Sequence, residues 1–80
     1  MREAVTAFNE ALDIYRRQGN PIKAAMIIDF LGSVHEMQGE YPAALAKYQE
    51  ALALMQQYSS PQNVAITEND IARVRAKMAA

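Results

Sequence analysis

The hydrophobic and polar positions of this 80-residue chain follow the period of an α-helix in four successive stretches. In the first stretch, apolar side chains recur at steps of three and four residues, which predicts a helix with one apolar stripe. That stripe consists of Ala4, Val5, Phe8, Ala11, Leu12 and Tyr15. The same criterion predicts helices at about Arg2–Gln18, Pro21–Gln38 and Pro61–Lys77, and a third helix in chain order that starts near Tyr41-Pro42. The pattern therefore predicts an all-α chain of four helices.

Glycine, proline and capping side chains mark the ends of these helices. Gly19 and Gly39 are expected to follow helix C-termini, because glycine accepts the left-handed backbone that often ends a helix. The second and fourth helices begin with proline after a side chain that caps a helix N-terminus. These starts are Asn20-Pro21 and Ser59-Ser60-Pro61, with Asn20 and Ser60 as the predicted caps.

The second helix is apolar on two sides, whereas its neighbours are apolar on one. Its main stripe comprises Ala24, Ile27 or Ile28, Leu31, Val34 and His35. Its second stripe comprises Met26, Phe30 and Met37, with Ser33 among them. A helix with two apolar faces has two neighbours, or one neighbour and a ligand. The third helix carries a single stripe through Ala44, Leu45, Tyr48, Ala51, Leu52 and Met55, and the fourth carries Ala65, Ile71, Val74 and Met78.

Composition and charge exclude several classes of function. The formal net charge is −1, so no basic field attracts nucleic acid or anionic lipid. Arg73, Arg75 and Lys77 have no interleaved aromatic residues and are interpreted as a solvated helix end. No apolar run approaches the ~18 residues of a membrane span. The chain has no cysteine, which excludes disulfides and favours a cytoplasmic location.

The candidate catalytic residues do not form a recognisable site. His35 is the only histidine, lies on the main stripe of the second helix, and is interpreted as a packed or half-buried ring. Asp29 and Glu36 share a helical face, but paired-carboxylate catalysis needs an enclosing pocket that nothing in the pattern predicts. The serines have no neighbouring base, and the three glycines are too far apart for a phosphate loop. We therefore predict no catalytic residue, no metal site and no cofactor.

The two halves of the chain align with each other at a constant offset of 40 residues. Identical pairs are Ala4 with Ala44, Glu10 with Glu50, Ala11-Leu12 with Ala51-Leu52, Pro21 with Pro61, Ala25 with Ala65 and Val34 with Val74. Conservative pairs are Val5 with Leu45, Phe8 with Tyr48, Ile14 with Leu54, Leu31 with Ile71 and Gly32 with Ala72. Self-similarity at a fixed period predicts stacked structural repeats.

Leu31-Gly32 in the second helix, followed by Ala44, Tyr48 and Ala51 in the third, resembles the tetratricopeptide repeat, a helix–turn–helix unit of ~34 residues. The longer period resembles the kinesin light chain type, and Asn69-Asp70-Ile71-Ala72 is similar to that group's Asn-Asn-Leu-Ala. The resemblance implies antiparallel helix hairpins stacked as a right-handed superhelix. It also implies that residues 1–80 form a single domain, with one complete repeat at about 25–58 flanked by two half repeats.

The resemblance further implies a protein–protein interaction scaffold that binds a peptide or helix of a partner in a concave groove. In this family each repeat is a pair of helices, and the inner face of the first helix of each pair lines the groove. In this chain those are the second and fourth helices. The implied groove residues are Met26, Asp29, Phe30, Ser33, Glu36, Met37, Ile66, Asn69, Asp70, Arg73 and Lys77. One version of the family clamps a peptide's terminal carboxylate with cations and amides. Asp29 and Phe30 stand where those would be needed, which argues against such a clamp.

The phase of the repeat leaves an alternative open. The first helix lacks the partner that should precede it, and the fourth lacks the partner that should follow it. Either the chain is a segment of a longer array, or these helices pair between chains. In the second case the function is self-assembly, as a domain-swapped dimer or a head-to-tail oligomer. The second apolar stripe of the second helix fits either a groove or inter-chain packing.

Overall fold

The computed structural model describes residues 2–58 and 60–80, which form four α-helices. They are α1 (Arg2–Arg17), α2 (Pro21–Met37), α3 (Tyr41–Tyr58) and α4 (Pro61–Ala79). The all-α prediction is confirmed, and the described ranges contain no strand. Three of the predicted helix ends differ slightly, because α1 and α2 end one residue earlier and α4 two residues later. Ser59, in the predicted break before α4, lies outside the described residues.

The predicted C-terminal glycines both adopt a left-handed backbone, with φ of 65° at Gly19 and 77° at Gly39. After α2, the Gly39 N–H donates to the carbonyl of Glu36 at 3.0 Å, and the Glu40 N–H donates to the carbonyl of His35 at 2.9 Å. This pair of bonds satisfies two carbonyls that the helix itself leaves without donors. A residue with a Cβ would be strained at either glycine.

The predicted N-terminal caps are also present. The Lys23 N–H donates to Asn20 Oδ1 at 3.2 Å, and the Asn63 N–H donates to Ser60 Oγ at 3.4 Å. Each bond satisfies one of the free N–H groups in a helix's first turn. The starts of α2 and α4 are therefore determined by local sequence.

Each helix packs against the next one along the chain, and the short connections make consecutive helices antiparallel. Contacts between alternate helices define two layers. Arg16 of α1 pairs with Glu50 of α3 at 3.3 Å, and Glu36 of α2 pairs with Arg73 of α4 at 2.7 Å. One layer thus holds α1 and α3, and the other holds α2 and α4. The second layer carries every residue that the sequence assigns to the groove.

The predicted apolar stripes supply most of a core that lies between these layers. One buried cluster joins the first three helices and comprises Leu12, Ala24, Ala25, Ile28, Leu31, Ala51 and Met55. The other joins α3 to α4 and comprises Ala44, Tyr48, Ile71 and Val74. The sequence did not predict burial of Thr67, which is 1% exposed. Its hydroxyl donates to the sulfur of Met55 at 3.1 Å, which satisfies the polar group inside the core.

Gly32 of α2 lies directly against the ring of Tyr48 of α3. A Cβ at Gly32 would lie 2.8 Å from two carbons of that fully buried ring, so only glycine fits without a shift. The residues that match this pair in the repeat are less buried. Phe8, which matches Tyr48, is half-buried, and Ala72, which matches Gly32, is exposed. Within the described chain, the face of α1 that corresponds to the buried face of α3 therefore has no complete helix partner.

Candidate functional site

The predicted groove residues fall into two halves of one surface on α2 and α4. The polar half contains Ser33, Glu36, Asp70, Arg73 and Lys77, which are joined by hydrogen bonds and ion pairs directly or through Tyr48. The apolar half contains Met26, Phe30 and Ile66, which line one cleft. Asp29 belongs to both, because it lines the cleft and contacts Asp70. Met37 and Asn69 are exposed and belong to neither half.

The polar half is organised around the carboxylate of Glu36, whose side chain is only 9% exposed. It accepts two hydrogen bonds from Arg73, from Nε at 2.7 Å and from Nη2 at 2.8 Å. It also accepts one from Lys77 Nζ at 2.9 Å and one from the Tyr48 hydroxyl at 2.9 Å. The Arg73 bonds hold the pKa of Glu36 far below its usual range, against the opposing effect of burial. Glu36 therefore remains charged and ties α2 to α3 and α4.

Tyr48 connects this charged network to the core. Its ring is fully buried, while its hydroxyl lies 3.0 Å from Ser33 Oγ and donates to Glu36. Burial raises the pKa of Tyr48 to about 12, so the hydroxyl keeps its proton. The sequence predicted only that Tyr48 belongs to the apolar stripe of the third helix. The one sequence signal for the hydroxyl's role is that the matched position, Phe8, lacks it.

Asp29 is the groove's poorly satisfied acid. Its Oδ1 atom is buried without a hydrogen-bond partner, and the carboxyl contacts Asp70, which itself pairs with Arg73 at 2.9 Å. The pKa of Asp29 is raised to about 6, first by burial and then by the charge of Asp70 and the hydrogen bond with it, while the charge of Arg73 partly opposes these effects. When Asp29 is ionised, its carboxylate and that of Asp70 both interact with the guanidinium of Arg73, which also donates hydrogen bonds to Glu36.

Asp29→Asn is expected to stabilise the fold at pH 7.5 by about 1 kcal/mol, a modest value because the carboxyl is partly exposed and screened. A raised folded-state pKa means that Asp29 lowers stability as the pH rises from its usual value of 3.8 through about 6. The advantage of asparagine is therefore expected at pH 7.5 and absent at pH 4, in urea melts followed by circular dichroism.

The control for this prediction is Asp13→Asn, which removes an exposed carboxylate that pairs with Arg17 at 2.9 Å. It is expected to change the free energy of unfolding little at either pH, because surface ion pairs contribute little. Equal melts for wild type and Asp29→Asn at pH 7.5 would show that the carboxyl has found a partner in solution.

The apolar half surrounds a cleft of about 320 Å³ between α2, α3 and α4. Its lining residues are Met26, Asp29, Phe30, Met55, Asn63, Ile66 and Thr67. Three of them expose large apolar surfaces, with Met26 46%, Phe30 44% and Ile66 57% exposed. The Phe30 ring also lies 5.7 Å from the ring of Phe8, which holds it at the edge of the cleft. Apolar side chains gathered around a cleft are typical of a contact surface for another molecule.

The family model for the tetratricopeptide repeat matches residues 1–57, more than half of the chain. The chain belongs to the tetratricopeptide repeat family. Repeats of this family generally mediate protein–protein interactions, and family members are typically non-enzymatic scaffolds. Comparison with curated proteins gives no match, and comparison with solved structures gives none.

A second, larger cavity of about 730 Å³ lies between α1, α2 and α3 of this tetratricopeptide repeat chain and was not predicted from the sequence. It is lined by Arg16, Gly19, Asn20, Pro21, Ala24, Glu50, Ala53, Leu54 and Tyr58. Its two charged side chains, Arg16 and Glu50, pair with each other at 3.3 Å. The cavity therefore presents no unpaired charge, and the groove remains the better candidate despite its smaller cleft.

The remaining chemistry of the tetratricopeptide repeat chain is structural. His35 is 30% exposed at its side chain, and its Nδ1 lies 3.0 Å from Glu40 Oε1 across the turn between α2 and α3. Within residues 2–58 and 60–80, no group of three His, Asp or Glu side chains is placed to hold a metal ion. In the same part of the chain, none of the helices is long and apolar enough to cross a bilayer.

Proposed function

We propose that the chain is a scaffold that binds a peptide or helix of a partner protein in the groove between α2 and α4. The observation that supports this proposal most directly is the apolar half, where Met26, Phe30 and Ile66 stay exposed around a cleft. Aromatic and methionine side chains of this kind supply most of the energy in adaptable protein contacts. The proposal assigns no catalytic role to any residue. The long-period, kinesin light chain-like subtype also remains a prediction.

The polar half also supports the proposal, because its fixed charges can make partner binding specific. Its charges are held in place by bonds between helices, so a partner meets a preorganised pattern rather than mobile side chains. Fixed charges beside an apolar cleft select among partners more than they add affinity. The groove thus combines an apolar anchor site with a charged border.

Phe30→Ala is expected to weaken groove binding about tenfold or more while leaving helicity nearly unchanged, because 44% of the side chain is exposed. Labelled peptides selected from a displayed random-heptapeptide library against the wild-type chain serve as the probes. Fluorescence polarisation measures their affinity, and circular dichroism measures helicity.

The matched control is Ile14→Ala, which removes a similarly exposed apolar side chain, 51% exposed, from α1 outside the groove. Binding by this variant is expected to equal that of the wild type. If both variants lose the same affinity, or if the library yields no binder, the groove is not the interaction site. A collapse of helicity in Phe30→Ala would instead place Phe30 in the core.

Self-assembly is the second candidate, and the repeat correspondences favour it. The half-buried face of α1 (Ala4, Phe8, Ala11) corresponds to the fully buried face of α3 (Ala44, Tyr48, Ala51). Tyr48 donates to Glu36, and at the matched positions both the hydroxyl and its acceptor are absent, since Phe8 matches Tyr48 and Ala76 matches Glu36. In this proposal α1 of a second copy packs on α4. The two helices then form one repeat across the interface, in addition to the complete repeat at about 25–58 within each chain.

Sedimentation equilibrium across a wide concentration range tests this second candidate. If it is correct, the molar mass rises with concentration, and Ala72→Glu restores the monomer by placing a charge where α1 of the next copy would pack. The control is Ala46→Glu, which changes an exposed alanine of α3 instead of α4. This variant is expected to associate like the wild type. A monomer at every concentration contradicts self-assembly and leaves groove binding unaffected.

A further inference from the structure

The cations of the groove are already engaged by its own acids. Arg73 makes two hydrogen bonds to Glu36 and an ion pair with Asp70, and Lys77 bonds to Glu36 at 2.9 Å. An anionic ligand would compete with Glu36 for these cations, and the buried carboxylate would then lose the three hydrogen bonds that Arg73 and Lys77 donate. Leaving such a buried charge without partners is strongly unfavourable. The groove is therefore unsuited to a phosphate, an acidic peptide or a terminal carboxylate.

The groove's acids, in contrast, outnumber its cations. Asp29, Glu36 and Asp70 face Arg73 and Lys77, which leaves one uncompensated negative charge (3 − 2 = 1). That charge lies near Asp29 and Asp70, since Asp29 forms no ion pair among residues 2–58 and 60–80 and its Oδ1 atom has no hydrogen-bond partner there. Asp70 keeps 16% of its side chain exposed and Asp29 lines the cleft, so both residues border the groove surface.

The same Asp29 also lines the apolar cleft of Met26, Phe30 and Ile66. A ligand that fills the cleft therefore contacts Asp29, which neighbours Asp70. Resting on the proposed groove function, we infer that the groove takes a peptide segment in which a lysine or arginine adjoins a large apolar side chain. The cation lies against Asp29 and Asp70, and the apolar side chain fills the cleft.

Charge complementarity distinguishes this occupant from the others. A neutral peptide would fill the cleft but leave the two carboxylates uncompensated beside a ligand that excludes water. An acidic peptide would add a third negative charge at the same place, which is costly across an interface. The basic and apolar segment alone removes both the exposed apolar surface and the charge imbalance.

Blocked hexapeptide libraries, acetylated and amidated, test the inference against the full chain. Three pools carry a fixed Lys-Leu, Gln-Leu or Glu-Leu pair in the middle and mixed residues elsewhere. Competition with a labelled Lys-Leu pool, followed by fluorescence polarisation at low and at high salt, gives the relative affinities. We expect the Lys-Leu pool to bind about tenfold more tightly than the Glu-Leu pool, with the Gln-Leu pool between them and the differences reduced by salt.

Two charge-matched variants locate the effect. Asp29→Asn is expected to reduce the preference for Lys-Leu over Gln-Leu to about twofold or less, since it removes the unpaired carboxylate. Asp13→Asn removes an equal charge from an exposed position of α1, outside the groove, and is expected to retain the full preference. Circular dichroism melts confirm that both variants are folded before affinities are compared.

The outcomes separate this inference from the proposed function on which it rests. If Gln-Leu or Glu-Leu pools bind as tightly as Lys-Leu, and Phe30→Ala abolishes that binding, the groove function stands and the cation preference is wrong. If Asp29→Asn and Asp13→Asn change the preference equally, only the overall charge matters and the inference is overturned. If no pool binds, or if Phe30→Ala has no effect, both the inference and the groove function fail.

Discussion

Tyr48→Ala is expected to lower the free energy of unfolding by about 3–5 kcal/mol, the range for removing a buried aromatic side chain. The ring is fully buried against Gly32, and the cavity left by alanine cannot close without moving α2 relative to α3. A domain of this size has a total stability of roughly 4–12 kcal/mol, so the variant is expected to be marginally folded. Urea melts followed by circular dichroism measure the change.

The repeat supplies the matched control, Phe8→Ala, at the position 40 residues earlier. Phe8 is only half-buried, so this variant is expected to lose markedly less stability than Tyr48→Ala. A second variant, Tyr48→Phe, keeps the ring and removes the hydroxyl, and about 1 kcal/mol is expected for its hydrogen bonds. Equal losses for Tyr48→Ala and Phe8→Ala would contradict the burial of Tyr48.

Glu36→Gln is expected to lower stability at pH 7 by about 1–2 kcal/mol, because an amide replaces a charged acceptor of four hydrogen bonds. The expected loss of stability is small for four hydrogen bonds, because Arg73 and Lys77 are nearly half exposed and screened by water. A lowered folded-state pKa means that Glu36 stabilises the fold above its usual titration range. That contribution is lost as the pH falls through the lowered value.

Urea melts of wild type and Glu36→Gln from pH 7 into the acid range test this prediction. The difference between them is expected to shrink as the pH falls through the lowered pKa. Glu68→Gln, at an exposed position of α4, is the control and is expected to match the wild type at each pH. A difference that stays constant with pH would mean that packing, and not the charge of Glu36, accounts for the loss.

Much of the fold follows from local patterns. The helix starts at Asn20-Pro21 and Ser60-Pro61 and the ends at Gly19 and Gly39 were predicted and confirmed, because caps and left-handed glycines act within a few residues. The apolar stripes likewise named most of the core. Burial of Thr67 was not predictable, since its partner Met55 lies on another helix.

For the candidate groove, the sequence proposes the residues but not how their side chains are arranged. The family resemblance placed eleven residues on the inner faces of the second and fourth helices, and the structure divides nine of them into the polar and apolar halves. It leaves Met37 and Asn69 outside both. The resemblance locates a helical face because periodicity defines faces, but it does not define which side chains meet across two helices.

The sequence by itself determined the four helices, their capped starts, the 40-residue repeat and the family, because each of these depends on residue type and spacing along one chain. Only the tertiary structure decided that Glu36 binds Arg73 and Lys77, which are 37 and 41 residues away, and that Asp29 Oδ1 has no hydrogen-bond partner among the described residues. These pairings depend on the distance and rotation between packed helices. A shift of one helix by a single turn would leave the same pattern in the sequence and give every charge in the groove a different neighbour.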